Sequence, residues 1–283
     1  MRLTAYLGER FPPGPYTVLV ALFHGAASLA AVRLGGGDVR WWAGIVVWLA
    51  FFHLRVFDEH KDYDKDLIAH PERLLSRGVV TLRMLKWWGG LAIVGESAIA
   101  LAIGGHAFAW WAAMFAFTVA MRFEFGVGRW LNEHIVTYAL THNPAVGLLA
   151  MFSWASTGAK WHRDFGIFVL AVSLGSVALE IGRKTRLPAE ELPTVPSYSS
   201  VHGRRLAGSM VFAAVAGAGA CGILLDRALT SAVPPTWTPL YPLLGGVLIA
   251  RAMMGENKRA KSMENGASLA LVGLLVSVGI AAW

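Results

Sequence analysis

Long apolar runs broken by short polar stretches dominate this chain. They fall at about residues 16–32, 41–57, 84–103, 107–121, 135–154, 165–181, 206–225, 240–254 and 267–283. Each approaches the ~20 residues needed to cross the hydrocarbon core of a bilayer. The pattern therefore predicts nine transmembrane helices. None of the runs alternates apolar with polar positions, which excludes a transmembrane β-barrel. The fifth run is interrupted by His142, Asn143 and Pro144. Polar backbone at that depth is tolerated only where it faces protein or a wet cavity, so the break reads either as a cavity lining or as a kink.

Composition agrees with the pattern. Hydrophobic residues are 55% of the 283 and charged residues 15%, too apolar for a soluble domain of this size. One domain, residues 1–283, is expected, with the first apolar run retained rather than cleaved as a signal. Cys221 is the only cysteine, so an internal disulfide and a cysteine metal site are both excluded; it reads as packing.

The basic residues set an orientation. Loops after the second, fourth, sixth and eighth runs carry Lys61, Lys65, Arg73, Arg77 and Arg83, then Arg122 and Arg129, then Arg183, Lys184, Arg186, Arg204 and Arg205, then Lys258, Arg259 and Lys261. The intervening loops are poorer in Lys and Arg. The positive-inside rule places the rich loops in the cytoplasm, which suggests a multi-pass protein of the cell inner membrane. The formal charge of +7 is accounted for by basic loops against anionic lipid and implies no nucleic-acid partner.

Five of the 18 carboxylates fall between residues 58 and 66, directly after the second run: Asp58, Glu59, Asp62, Asp64 and Asp66. On a helix, Asp58, Asp62 and Asp66 share one face. Acidic loops between hydrophobic segments are commonly just solvated. Here the spacing is regular and Arg55, Lys61, Lys65, Arg73 and Arg77 are interleaved, as expected where Mg²⁺ and basic side chains together hold a diphosphate. A second polar cluster on the same side begins at Glu180 and continues through Arg183, Lys184, Arg186, Glu190 and Glu191. Glu180 and Lys184 are four apart and form either half of a ligand site or a surface ion pair. Two further ionisable residues lie within runs: His53 and Glu96 are each either functional or a hydrogen-bonded helix partner.

These residues resemble the UbiA superfamily of intramembrane prenyltransferases. The first family motif is Asn-Asp-x-x-Asp-x-x-x-Asp, and Asp58, Glu59, Asp62 and Asp66 stand at its four positions. Downstream, Arg73, Ser76, Gly78 and the stretch Val79-Val80-Thr81 match, with Leu74 where the family has proline. The second motif, Asp-x-x-x-Asp, is Glu180 followed by Lys184. Either Lys184 replaces part of the charge of a second Mg²⁺, or Glu190 and Glu191 supply the missing carboxylate, or only one metal binds tightly. Pro196, Ser197, Tyr198, Ser199, Ser200 and Gly203 stand where the family has a Thr-rich turn ending in Gly.

The resemblance implies an all-α polytopic fold of nine helices around a central lipid-accessible cavity. It implies Mg²⁺-dependent transfer of an isoprenyl group from its diphosphate to an acceptor in the membrane, whether an aromatic, a quinone precursor or a lipid. Its expected metal ligands are Asp58, Glu59, Asp62, Asp66 and Glu180. Arg73, Arg122, Arg129, Arg183, Lys184, Arg186 and Tyr198 are the expected diphosphate contacts, and Asp58, Asp62 and Lys184 the catalytic groups. A membrane terpene cyclase acting on the same diphosphate is the alternative. An ion-coupled transporter ranks lower, because the acids gather at one surface instead of mid-membrane.

Overall fold

The structure is a computed structural model that describes residues 1–191, 195–230, 240–254 and 260–283. In chain order the helices are α1 (Arg2–Arg10), α2 (Pro13–Gly35), α3 (Gly44–Lys61), α4 (Tyr63–Ala69), α5 (Leu82–Ile103), α6 (Gly105–Arg122) and α7 (Gly128–Glu133). They continue as α8 (Ile135–His142), α9 (Pro144–Ser156), α10 (Phe165–Arg183), α11 (Tyr198–His202), α12 (Arg204–Thr230), α13 (Leu240–Met254) and α14 (Ala260–Ala282). Every apolar run expected to be a helix is one, the fifth being split into α8 and α9. Among the described residues, six helical segments are long and apolar enough to cross a membrane. These segments contain α2, α3, α8 with α9, α10, α12 and α14. Of the nine expected transmembrane helices, six therefore meet the length and composition of a span. α5 carries Arg83, Lys86 and Glu96, α6 carries His106 and Arg122 near its ends, and α13 has 15 residues. Lys258 and Arg259, used above for orientation, lie outside the described residues.

Local chemistry sets the breaks. Thr81 caps α5 by accepting a hydrogen bond from the Met84 amide (3.3 Å), the usual device for an orphan first-turn N–H. Gly104, at φ 142°, reverses the chain between α5 and α6, a conformation that residues with a Cβ rarely adopt. Pro144 opens α9 at a position where its missing N–H costs nothing. The break at residues 142–144 is a kink tied to a neighbour: Asn143 donates its side-chain amide to the Ser173 carbonyl of α10 at 2.9 Å.

Close helix approach relies on small residues, as in membrane bundles generally. A Cβ built on Gly245 of α13 would lie 2.6 Å from the Gly266 carbonyl of α14. The largest buried cluster joins α2, α3, α5, α6, α9, α10, α12, α13 and α14. Cys221 is buried, in keeping with a packing role.

Hydrogen bonds between loops define the two ends of the bundle. At one end the Lys160 amide donates to Gly35 (3.0 Å), the Asp38 amide to Thr157 (3.0 Å) and Arg40 to the Ser156 carbonyl (2.7 Å). The other end gathers the last turns of α3 and α10, the segments before α5 and α12, and the α7–α8 region. It also holds α1, which the apolar pattern does not reveal. This nine-residue helix buries Tyr6, pairs Arg10 with Glu59 at 2.6 Å and accepts the Leu74 amide on Glu9 (3.1 Å). It straps the acidic segment to the chain's beginning.

Candidate active site

The acidic ladder forms, with a bend in it. α3 ends at Lys61, and Asp62 sits between α3 and α4 at φ −97°, ψ 8°. The backbone rungs nevertheless persist, since the Asp62 amide bonds the Asp58 carbonyl and the Asp66 amide the Asp62 carbonyl, each at 2.8 Å. Asp62 and Asp66 thus stay on one side of the segment. There they line a cavity of about 170 Å³ together with Lys65, Asn132, Tyr138 and Lys184, closed by Leu131, Ile135, Val195 and Pro196. The cavity joins both polar clusters of the sequence.

The groups around it differ in how fully they are paired. Arg73 holds Asp66 in an ion pair, and Lys65 donates to Asn132 Oδ1 (3.3 Å). Asp62 makes no ion pair or side-chain hydrogen bond among the described residues. Burial pushes its carboxyl above the usual range; Asp58 and Asp66 add to the rise, and Lys61 and Lys65 offset part of it. A desolvated carboxylate without a partner is costly, and a cation in the cavity relieves that cost.

Across the cavity, the Lys184 ammonium lies 2.7 Å from Glu180 Oε1 while Arg183 donates to Glu180 Oε2, also at 2.7 Å. Tyr138 stands between the clusters. Lys61 donates to its hydroxyl (2.6 Å) and lies 5.2 Å from its ring centre, Lys184 is 5.4 Å from the same centre, and His142 stacks on the ring at 4.0 Å. The ring's hydroxyl edge holds Lys61, and Lys184 lies near the same ring, a setting favourable to a cation.

Of the expected site residues, Asp62, Asp66 and Lys184 line the cavity. Arg73, Glu180 and Arg183 reach it through their ion pairs. Asp58 is one turn behind, its carboxylate 43% exposed and 3.7 Å from Lys61. Glu59 departs from expectation: it follows Asp58 by one residue, hence about 100° around the helix, and is buried against Arg10. Tyr198 departs too. It is fully buried, donating its hydroxyl to the Ile135 carbonyl at 3.0 Å, which ties α11 to α8 and leaves nothing for a phosphate. The Arg186 backbone amide donates to Ser199 Oγ (2.7 Å), and its side chain does not line the cavity. Arg122 lies over the Phe123 ring at 5.7 Å and Arg129 is exposed; neither lines the cavity. Tyr138 was not foreseen, since a single tyrosine in an apolar run carries no periodic or motif signal.

Magnesium usually takes one or two carboxylates and completes its shell with water and phosphate oxygens. Asp62 and Asp66, two hard oxygen donors on one cavity wall with Asp62 unpaired, fit that demand. Among the described residues no three acidic, histidine or cysteine side chains converge as a metal cage. Water or phosphate oxygens would complete such a shell.

No family model and no curated protein matches the sequence. Two solved structures match the fold over nearly the whole chain. One is the apo structure of a UbiA homologue from Aeropyrum pernix K1, with TM-score 0.68 and 14% identity, covering 93% of this chain and 95% of that one. The other is a digeranylgeranylglyceryl phosphate synthase, with TM-score 0.62 and 16% identity, covering 99% and 98%. The chain has the all-helical membrane fold of the UbiA homologue.

Proposed function

We propose that this chain is a membrane prenyltransferase that moves an isoprenyl group from its diphosphate to an acceptor dissolved in the bilayer, using Mg²⁺ at the cytoplasmic surface. The observation that carries this reading is the cavity itself: Asp62 and Asp66 face Lys65 and Lys184 at the polar end of an apolar bundle. Such a site suits a ligand with an anionic head and a greasy tail. Breaking an allylic carbon–oxygen bond places negative charge on the departing diphosphate, and groups aimed at those oxygens lower the barrier.

Asp62 and Asp66 would hold the metal, with Asp58 reaching it from the preceding turn. The metal, when bound, neutralises diphosphate oxygens as a Lewis acid. Lys184 and Lys65 are placed to meet the same oxygens from the protein side. Tyr138 keeps Lys61 and Lys184 oriented, and Arg73 fixes the Asp66 carboxylate. The apolar side chains Leu131 and Ile135 exclude water from the side facing the bundle, where the tail would enter.

The UbiA-like fold supports the reaction class, and the neighbouring digeranylgeranylglyceryl phosphate synthase makes a glycerol phosphate lipid one acceptor to include. The test is purified protein with Mg²⁺ and a panel of isoprenyl diphosphates, following diphosphate release with and without lipid and aromatic acceptors. Acceptor-dependent release that stops on chelation is expected. Release without acceptor, accompanied by a cyclic hydrocarbon or alcohol, would assign a cyclase instead. Release unaffected by chelation would remove the metal from the reading.

A further inference from the structure

We propose that the site works with a single divalent cation, and that the Lys184–Glu180 ion pair stands as a fixed protein charge where a second cation would otherwise sit. The inference rests on the prenyltransferase reading and deepens it.

The first observation is that Glu180 has no free oxygen. Lys184 takes Oε1 and Arg183 takes Oε2, both at 2.7 Å. The three side chains together carry one net positive charge, so a dication brought to Glu180 meets two fixed cations and one carboxylate. Repulsion outweighs attraction at comparable distances. The same group attracts an anion, and Lys184 lines the cavity opposite Asp62 and Asp66.

The second observation is that neither of the carboxylates the sequence offers as replacements, Glu190 and Glu191, lines the cavity. Glu190 is an exposed side chain that accepts the Leu187 amide (3.3 Å). Glu191 accepts the Ser197 and Ser199 hydroxyls, each at 2.7 Å. Both stabilise the loop leading to α11.

The third is that Lys184 is not a loose surface cation. Its ammonium is held from one side by Glu180 and from another by the Tyr138 ring at 5.4 Å, so its position is set before any ligand arrives. A preoriented ammonium serves a phosphate without the geometric demands of a metal.

The test counts metal ions on the full chain in detergent, using Mn²⁺ and inorganic pyrophosphate as probes. Equilibrium dialysis and electron paramagnetic resonance are expected to give one Mn²⁺ per chain with the spectrum of an isolated ion. Lys184→Asp is expected to raise the count to two, with the broadening of two coupled ions. Lys184→Gln should keep one Mn²⁺ and weaken pyrophosphate binding by about tenfold or more, as for loss of a hydrogen bond to a charged group.

Two coupled Mn²⁺ ions in the unaltered protein would overturn the inference and leave the prenyltransferase reading standing. No pyrophosphate-dependent Mn²⁺ at all would overturn both. Unchanged pyrophosphate affinity in Lys184→Gln, or a count that stays at one in Lys184→Asp, would remove Lys184 from the role. Should Lys184→Asp fail to fold, the wild-type count and the Gln variant still decide.

Discussion

Among the polar groups of this apolar bundle, two of those described treat charge in opposite ways. In one, His53 of α3 lies 2.7 Å from Glu96 Oε1 of α5 and 3.2 Å from Thr118 Oγ1 of α6. Trp111 of α6 donates to Glu96 Oε2 at 3.0 Å, and Thr118 donates to the Phe115 carbonyl at 2.8 Å. His53, Glu96 and Thr118 are fully buried. Each side-chain nitrogen and oxygen in this knot has a partner, and the partners sit on three different helices. In the other group, at the polar end, Asp62 has no such partner and faces a cavity. A closed network fixes helices against each other, while an open carboxylate is available to a ligand. An ionisable residue within a membrane span is a functional candidate by default, and the completeness of its hydrogen bonding separates the two cases. It also weakens the transporter reading, because His53 and Glu96 are occupied with one another.

The sharpest way to break this contrast is Asp62→Asn. Metal-dependent turnover is expected to fall by at least about a hundredfold, the scale of losing a central electrostatic contact. Thermal stability in detergent should hold or rise slightly, because the substitution removes a desolvated charge that the protein itself does not pair. Full activity in this variant would end the metal assignment.

Glu96→Ala should do the reverse. It leaves His53 Nδ1 and the Trp111 N–H without partners in an apolar interior, a loss of about 3 kcal/mol for a broken buried network. A marked drop in the detergent melting temperature is expected, with Mn²⁺ and pyrophosphate affinity per folded chain preserved. Lost pyrophosphate binding at undiminished stability would show that this knot belongs to the site after all.

Arg10→Ala probes the boundary between the two behaviours. Glu59 lies beside the open carboxylates in sequence, yet its environment is that of the closed network: 1% side-chain exposure and an Arg10 partner at 2.6 Å. Removing Arg10 strands the carboxylate and is expected to cost about 2 kcal/mol. Arg10→Lys should restore part of it. Because α1 straps the acidic segment, turnover should fall a few-fold through looser positioning, with the pyrophosphate affinity largely kept.

The helices and the acidic ladder are legible in the sequence because both follow from local pattern. A bilayer requires every spanning backbone to satisfy itself, so apolar length alone announces a helix, and a spacing of four announces one face. The features that the sequence hides depend on distant partners. α1 is too short to be stable by itself and is held by Glu59 and Leu74, about 50 and 65 positions away. Glu59 looks like a ligand because it adjoins Asp58, although one helical step turns it to the other side. Tyr198 lies among serines that suggest a phosphate loop, while its hydroxyl goes to Ile135. Tyr138 acquires its place only because the kink at residues 142–144 and the ends of α3 and α10 bring Lys61, Lys184 and His142 around one ring.

Arg129→Gln carries the smallest expected effect and bears on the reading of basic loops. Arg129 is exposed on α7 and has no ion pair within 4 Å among the described residues, while Asn132, three residues on, lines the cavity and is held by Lys65. If the cavity alone selects the anion, loss of Arg129 should change stability by no more than about 0.5 kcal/mol and pyrophosphate affinity by less than about twofold. What should remain is a weak salt-dependent contribution, because an exposed charge is screened within about a Debye length. A tenfold loss of affinity that persists at high salt would mean that the α6–α7 loop closes onto the diphosphate. The open group would then be larger than the cavity, with Arg129 as part of its wall.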